Sequence, residues 1–388
     1  MFKIQTLNKI SPTGLDKLSH DLYEIASEII HPDAIIVRSH KMHDMELPES
    51  LQAIARAGAG VNNIPIDRCS ERGIIVFNTP GANANSVKEL VLAGLFLTSR
   101  DILGGIAWAQ CLAGKGDAVP KLIEKGKSQF VGPEIRGKKF GVIGLGAIGV
   151  MVANDAASLG MEVTGYDPFI SVESAWGLSR DIKKARGFEN LLSESDYISL
   201  HVPLDDETHE MINHSRFAIM KKGVRLLNFA RGGLVSTADL KEALQKGIVQ
   251  KYITDFPDED LLNIEGVICV PHLGASSAEA EENCAIMAAT QLKEFLEKGN
   301  IRNSVNFPEC DMDMRGDRRL VVANRNIPAM VGQITAVLAD DRINIVDMLN
   351  RSRGDLAYNI IDIDGEISDT SVGKIRKIDG VLMARVIG

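Results

Sequence analysis

The stretch Lys138-Lys139-Phe140-Gly141-Val142-Ile143-Gly144-Leu145-Gly146-Ala147-Ile148-Gly149 decides the fold. An apolar strand runs into G-x-G-x-x-G and on into a helical pattern, the arrangement in which a turn cradles a pyrophosphate. Gly144 permits the tight turn, Gly146 presents no Cβ to the phosphates, and Gly149 lets the next helix press close to the strand. That helix, predicted from Ala147 to Leu159, aims its free N–H groups and the positive end of its dipole at the anion. A second strand, Glu162 to Tyr166, ends at Asp167. This acid falls about 20 residues after the glycines, where a carboxylate accepts hydrogen bonds from the adenosine ribose hydroxyls. A 2′-phosphate there would meet like charge, so the pattern predicts NAD rather than NADP.

Strand and helix alternate on both sides of this motif. Ahead of it, Ala34–Val37 and Gly73–Phe77 read as strands, whereas Leu51–Ala57 and Val87–Thr98 carry helical spacing, which predicts a small α/β layer. After Asp167, strands are predicted over 197–202, 224–229, 252–254 and 267–270, with helices over 215–220 and 237–245. With Glu162–Tyr166 these make five strands after the glycines, as in a Rossmann-type doubly wound parallel sheet. A long helical pattern, Ala278–Lys298, leads away from it. The last seventy or so residues read β-α-β-β-α-β, the ferredoxin-like α+β order, behind a polar linker Asp311–Asp317.

Length and composition agree with several soluble domains. The chain has 388 residues, 24% charged and 45% hydrophobic, with a net charge of −9. That balance gives no electrostatic reason to expect nucleic acid or a membrane surface as partner. Five cysteines, Cys69, Cys111, Cys269, Cys284 and Cys310, include no C-x-x-C pair and no histidine at ligand spacing, so reduced thiols and no metal are expected. No leader and no long apolar run is evident, and a cytoplasmic protein is expected.

The chemistry belongs at the carboxyl ends of the strands, where open parallel sheets bind ligands. The strand ending Asn228-Phe229-Ala230 releases Arg231-Gly232-Gly233, placing a guanidinium fork where it suits a carboxylate. The strand ending Cys269-Val270 releases Pro271-His272-Leu273-Gly274-Ala275, placing an imidazole that exchanges protons near neutral pH. Between them runs Asp255-Phe256-Pro257-Asp258-Glu259-Asp260, from which a carboxylate could orient that imidazole. Arginine, histidine, carboxylate and dinucleotide together describe hydride transfer at the carbon of a 2-hydroxy acid.

The runs Phe77-Asn78-Thr79-Pro80, Asn85-Ser86-Val87, G-L-G-A-I-G, His201-Val202-Pro203, N-F-A-R-G-G and P-H-L-G-A-S resemble the D-isomer-specific 2-hydroxyacid dehydrogenase family. The resemblance covers residues 1 to about 308. It implies a discontinuous, flavodoxin-like substrate domain, 1–98 with 286–310, around an NAD domain, 99–285. It implies substrate contacts from Arg38, Ser39, Ala59, Gly60, Val61, Asn62 and Asn83, with Arg38 and Lys41 as candidate cations for a substrate phosphate. It implies cofactor contacts from Ser86, Val87, Gly144, Gly146, Ala147, Ile148, Gly149, Asp167, His201, Val202, Pro203, Thr208, Ala230, Arg231, Asp255, His272 and Ala275. Catalysis would fall to Arg231, His272 and, by carry-over from the family's D-V-F-x-x-E, Glu259. Here that loop reads T-D-F-P-D-E, which shifts its first acid by one place.

The implied reaction is oxidation of 3-phospho-D-glycerate. Two other readings of the same motifs are reduction of glyoxylate, hydroxypyruvate or a related 2-oxo acid, and a non-catalytic NAD-sensing corepressor. The terminal unit, 317–388, resembles an ACT-type regulatory module, which implies a homo-oligomer and an L-serine effector. Asn326 and Asn344 match ligand-contacting asparagines, while Asn324 stands in place of a histidine, and Pro328-Ala329 in place of the usual P-G.

Overall fold

The computed structural model describes all residues from Met1 to Gly388. They form two compact units, one made of Met1–Asn83 with Ala278–Gly388 and the other of Ala84–Ser277.

In the first unit, strands β1 (Phe2–Leu7), β2 (Tyr23–Ala26), β3 (Ala34–Val37), β4 (Ala53–Arg56) and β5 (Ile75–Phe77) make a parallel sheet of order β2-β1-β3-β4-β5. The helical expectation for residues 51–57 is corrected here, because Ala53–Arg56 is a strand between β3 and β5. Ala53, Ile54 and Ala55 are all fully buried. A strand covered on both faces reads as a continuous apolar run, and its alanines carry a helical preference that the sheet overrides. Helix Ala278–Lys298 covers one face of this sheet, where Ala288, Leu292 and Phe295 join Ile4, Ile36 and Phe77 in one core.

The second unit holds β6 (Lys139–Ile143), β7 (Glu162–Tyr166), β8 (Lys183–Lys184), β9 (Tyr197–Leu200), β10 (Val224–Asn228), β11 (Val249–Thr254) and β12 (Val267–Cys269). Their order, β12-β11-β10-β9-β6-β7-β8, with parallel pairing throughout, is the doubly wound sheet that the glycine motif predicts. Helices Ala84–Ser99 and Ala147–Ser158 bury Val91, Leu95, Val152 and Ala156 against one face. On the other face Leu191, Phe217 and Leu240 pack over Ile198, Leu200 and Leu226. Helix Ala84–Ser99 therefore belongs with this sheet, whereas the expected substrate segment ran on to residue 98.

The chain ends in a ferredoxin-like layer. Strands β13 (Arg318–Arg325), β14 (Asn344–Arg353), β15 (Leu356–Asp364) and β16 (Val381–Ile387) form an antiparallel sheet of order β14-β15-β13-β16. Helices Met330–Asp340 and Asp369–Arg376 cover one face through Ile334, Leu338, Val372 and Ile375. The other face is buried as well. Val321, Ala323, Tyr358 and Ile360 belong to the same core as Phe77, Phe295 and Leu296, so this layer and the first sheet share one hydrophobic interior.

Candidate active site

All strands of the second unit run the same way, so the residues leaving β6, β7, β9, β10, β11 and β12 emerge at one sheet edge. At the β6 end, Gly144 has φ +89°, and a Cβ there would lie 2.6 Å from the His201 carbonyl oxygen. At Gly149 a Cβ would lie 1.9 Å from the Gly144 carbonyl oxygen, so the helix comes as close to the turn as a glycine allows. Beside Gly146, the residue at the N-cap of helix Ala147–Ser158, an added Cβ would meet nothing within 4 Å. The space next to that backbone, with the unpaired first N–H groups of Ala147 and Ile148 at the helix start, fits a pyrophosphate.

Asp167 is held for a second contact. One oxygen accepts from the Leu145 N–H at 2.8 Å and the other from the Phe169 N–H at 2.8 Å. Each oxygen keeps a further lone pair for a ribose hydroxyl. These features fit a dinucleotide on the residues the sequence singled out.

His201 leaves β9 with its N–H donating to the Ile143 carbonyl at 2.7 Å, and its ring Nε2 lies 2.8 Å from Ser199 Oγ. Burial pushes its pKa down to about 3, so the imidazole is neutral at physiological pH. Val202 and Pro203 follow, and Thr208 Oγ1 donates to the Pro203 carbonyl at 2.7 Å and accepts from the Asp205 N–H at 2.8 Å, which fixes this loop. Val87, buried on helix Ala84–Ser99, lies against the Gly274–Ala275 turn, while Ser86 stands one position before it.

The ends of β10, β11 and β12 converge. Asn228, fully buried at the end of β10, donates to the Arg231 carbonyl at 2.8 Å and accepts from the Ala230 N–H at 3.2 Å. That bracing shapes the turn from which the exposed Arg231 side chain projects. Its Nη1 folds back on the Ala230 carbonyl at 2.7 Å. The His272 ring packs on Phe256 with centroids 4.6 Å apart, and an added Cβ on Gly232 would sit 3.4 Å from Phe256 Cβ, so both turns share this aromatic neighbour.

Asp255 is the acid at this junction. Its side chain is buried, its carbonyl accepts from the His272 N–H at 3.1 Å, and its Oδ2 accepts from the Gly274 N–H at 3.2 Å. Oδ1 is buried without a partner. Burial raises the Asp255 pKa, opposed by the Gly274 N–H and by the positive charges of His272 and Arg231. Glu259 differs: it is exposed on the loop beyond Phe256, and its carboxylate makes no hydrogen bond or ion pair to His272. The acid beside the imidazole is therefore the one at the strand end, where the sheet fixes its backbone.

The candidate substrate residues occupy the first unit. Arg38 and Ser39 follow β3, Ala59, Gly60, Val61 and Asn62 follow β4, and Asn83 follows β5, again at one edge of a parallel sheet. Arg38 is paired with Glu281 at 2.7 Å, the Ala59 carbonyl accepts from Asn78 Nδ2 at 2.7 Å, and the Asn62 carbonyl lies 2.9 Å from the His43 ring nitrogen. Lys41 is exposed. Sequence reasoning missed Arg56, the last residue of β4, whose Nε donates to the Arg38 carbonyl at 3.2 Å. Reading residues 51–57 as a helix hid its place at a strand end.

In the terminal layer Asn324 is buried and internally satisfied, accepting from Asn359 Nδ2 at 2.7 Å and donating to the Arg325 carbonyl at 2.7 Å. Asn326 hydrogen-bonds at the start of β15 and Asn344 at its end, through the Gly354 carbonyl and Asp364 Oδ2. At roughly 3.3 Å per residue, one chain holds them about 30 Å apart.

Residues 108–274 match the family described as D-isomer specific 2-hydroxyacid dehydrogenase, NAD binding domain. Over 401 aligned residues the chain is 32% identical to the D-3-phosphoglycerate dehydrogenase of Haemophilus influenzae, covering 99% of this chain and 94% of that protein. It is also 32% identical to the Escherichia coli K12 protein of the same name, over 90% of this chain and 85% of the relative. Among solved structures, the NAD⁺-bound 3-phosphoglycerate dehydrogenase of Entamoeba histolytica superposes with a TM-score of 0.61 at 26% identity, over 79% of this chain and 98% of that one. With the glycine turn, the acid after β7 and the arginine and histidine at successive strand ends, the chain belongs to the D-isomer-specific 2-hydroxyacid dehydrogenase family, NAD-dependent oxidoreductases.

Proposed function

We propose that the chain oxidises the 2-hydroxyl of 3-phospho-D-glycerate to the 2-oxo acid, the first step of L-serine biosynthesis, in the cytoplasm. The observation that carries this reading is the convergence of Arg231, Asp255 and His272 at the edge that holds the dinucleotide turn. NAD, when bound, supplies the hydride acceptor. Arg231 holds the substrate carboxylate with its guanidinium fork, and His272 takes the hydroxyl proton as the carbon-bound hydrogen departs as hydride. Asp255 supports the imidazolium electrostatically and, through its carbonyl, fixes the His272 backbone. Within the first unit, Arg38 and Arg56 close adjacent strands β3 and β4, two cations at one sheet edge suited to a phosphate monoester. NADH production with 3-phospho-D-glycerate, set against glycerate, lactate and glycolate, tests the reading. A clear preference for the phosphorylated acid is expected, and equal or better turnover of an unphosphorylated one overturns it.

We also propose that the terminal layer is an ACT-type module responding to L-serine in a homo-oligomer. Asn326 and Asn344 stand at opposite ends of β15, so a ligand contacting both needs modules from two chains. Serine should then bind with an affinity that changes when substrate or NADH is added, by linkage. Calorimetry showing no heat with serine removes that assignment.

A further inference from the structure

Where the terminal layer meets the first sheet, β16 and the Glu49–Gln52 and Arg72–Gly73 segments enclose a cleft of about 450 Å³. Three guanidinium groups line it, from Arg72, Arg376 and Arg385, against a single acid, Glu49. Their hydrogen bonds go mainly to backbone carbonyls, with the Tyr358 side chain as a further partner of Arg385 and the Asp33 carboxylate acting on it from a distance. Arg72 donates to the carbonyls of Leu47 and Pro48, Arg376 Nε to Ala384 at 2.9 Å, and Arg385 to Phe295 and, at 2.9 Å, Leu296. Carbonyl contacts orient an arginine without neutralising it, so Arg72 and Arg376 keep their charge and, with Arg385 only partly offset by Asp33, the cleft concentrates positive charge in a chain whose net charge is −9.

Two buried polar atoms on lining residues lack partners, Arg385 Nε and Gln52 Oε1. The Arg385 guanidinium is stacked on Phe295, 4.6 Å from the ring centroid, and so cannot swing out to water. Gln52 Nε2 donates to Asp33 Oδ1 at 3.2 Å, which fixes the amide with Oε1 as its free end. Leaving such atoms unmatched costs free energy. A ligand that brings both an acceptor and a donor satisfies them.

We propose that this cleft is a binding site for a small hydroxylated oxyanion, a hydroxycarboxylate or a phosphate monoester. The guanidinium groups take the oxyanion, Arg385 Nε donates to it, and the ligand hydroxyl donates to Gln52 Oε1. Because its walls come from the terminal layer and from the segments that lead into β4 and β5, occupancy ties that layer to the first sheet and raises the melting temperature by mass action.

The test is calorimetry and thermal denaturation of the full-length protein with citrate and, separately, with glycerol 2-phosphate, which distinguishes the carboxylate from the phosphate source. At least one binds with one site per chain and raises the melting temperature. Binding persists in Arg231→Gln and in Arg56→Gln, which together exclude the carboxylate and phosphate contacts of the candidate substrate site as its location. In Arg376→Gln it weakens by roughly tenfold or more, as loss of a charge-assisted hydrogen bond requires, while NADH binding is retained as proof of folding. Arg72→Gln gives an independent second variant with the same expectation. Failure of both probes to bind, or affinity unchanged in both arginine variants, overturns the proposal.

Discussion

Arg319 and Asp362 form an ion pair with both side chains completely buried, Nε to Oδ1 at 2.6 Å and Nη2 to Oδ2 at 3.0 Å. Nη1 of Arg319 also donates to the Lys298 and Met312 carbonyls at 2.8 and 2.9 Å and to Asn300 Oδ1 at 3.2 Å. One guanidinium thus joins the end of helix Ala278–Lys298, the linker that follows it and two strands of the terminal layer. Removing one partner strands a buried charge, so Asp362→Ala should cost about 3–5 kcal/mol. Urea denaturation measures this. A change under about 1 kcal/mol would show that the pair is not the fastening described.

The same packing bears on truncation. A chain ending near Pro308 would expose Phe77, Phe295 and Leu296, which share their core with Val321, Tyr358 and Ile360. It should be poorly soluble or molten, with weakened near-UV circular dichroism. A truncated chain with native spectra and a cooperative transition would show that the terminal layer is dispensable to the first sheet.

Ala329 sits at φ +65°, where an L-residue other than glycine is strained. Ala329→Gly relieves this and should stabilise by about 1 kcal/mol, partly offset by chain entropy. A lower denaturation midpoint in that variant would contradict the strained geometry.

His201 makes stability depend on acid. Its folded-state pKa, about 3, lies below the ordinary 6.5. The unfolded chain therefore takes up the proton first, and stability contributed above about 6.5 is progressively lost as pH falls towards 3. His201→Asn should flatten the acid limb of the stability curve. An identical pH profile in the variant would place the titrating group elsewhere.

Asp167 sets the cofactor. Replacing it by Ser removes the charge that repels a 2′-phosphate while leaving a hydrogen-bonding group, so the ratio of kcat/KM for NAD over NADP should fall by at least about tenfold. An unchanged ratio would remove Asp167 from cofactor choice.

The legible parts of the fold were those with strong local signals. The glycine turn, Asp167 and the largely apolar strands Tyr197–Leu200 and Val224–Asn228 appear where spacing predicted them. Ala53–Arg56 was misread because burial on both faces erases alternation, and with it went the strand-end position of Arg56. Tyr23–Ala26, an edge strand with Glu24 and Ala26 exposed, lacks the continuous apolar run that marks Ala34–Val37. At the site, Arg231 and His272 were readable from the strands they terminate. The choice among four acids between residues 255 and 260 was not, because it turns on which carboxylate the sheet buries, and Asp255 is the buried one. The shared core behind the terminal layer was not legible, since β13 and β15 place apolar residues on both faces and do not say which element covers each.

The most direct measurement is NADH formation from 3-phospho-D-glycerate by the unmodified protein and by His272→Ala, with NADH binding followed in both. The account predicts robust turnover in the first, a loss of roughly 10²–10⁴-fold in the second, and NADH binding in each. Turnover unchanged in the folded variant, or no turnover of this substrate by the unmodified protein, would contradict it.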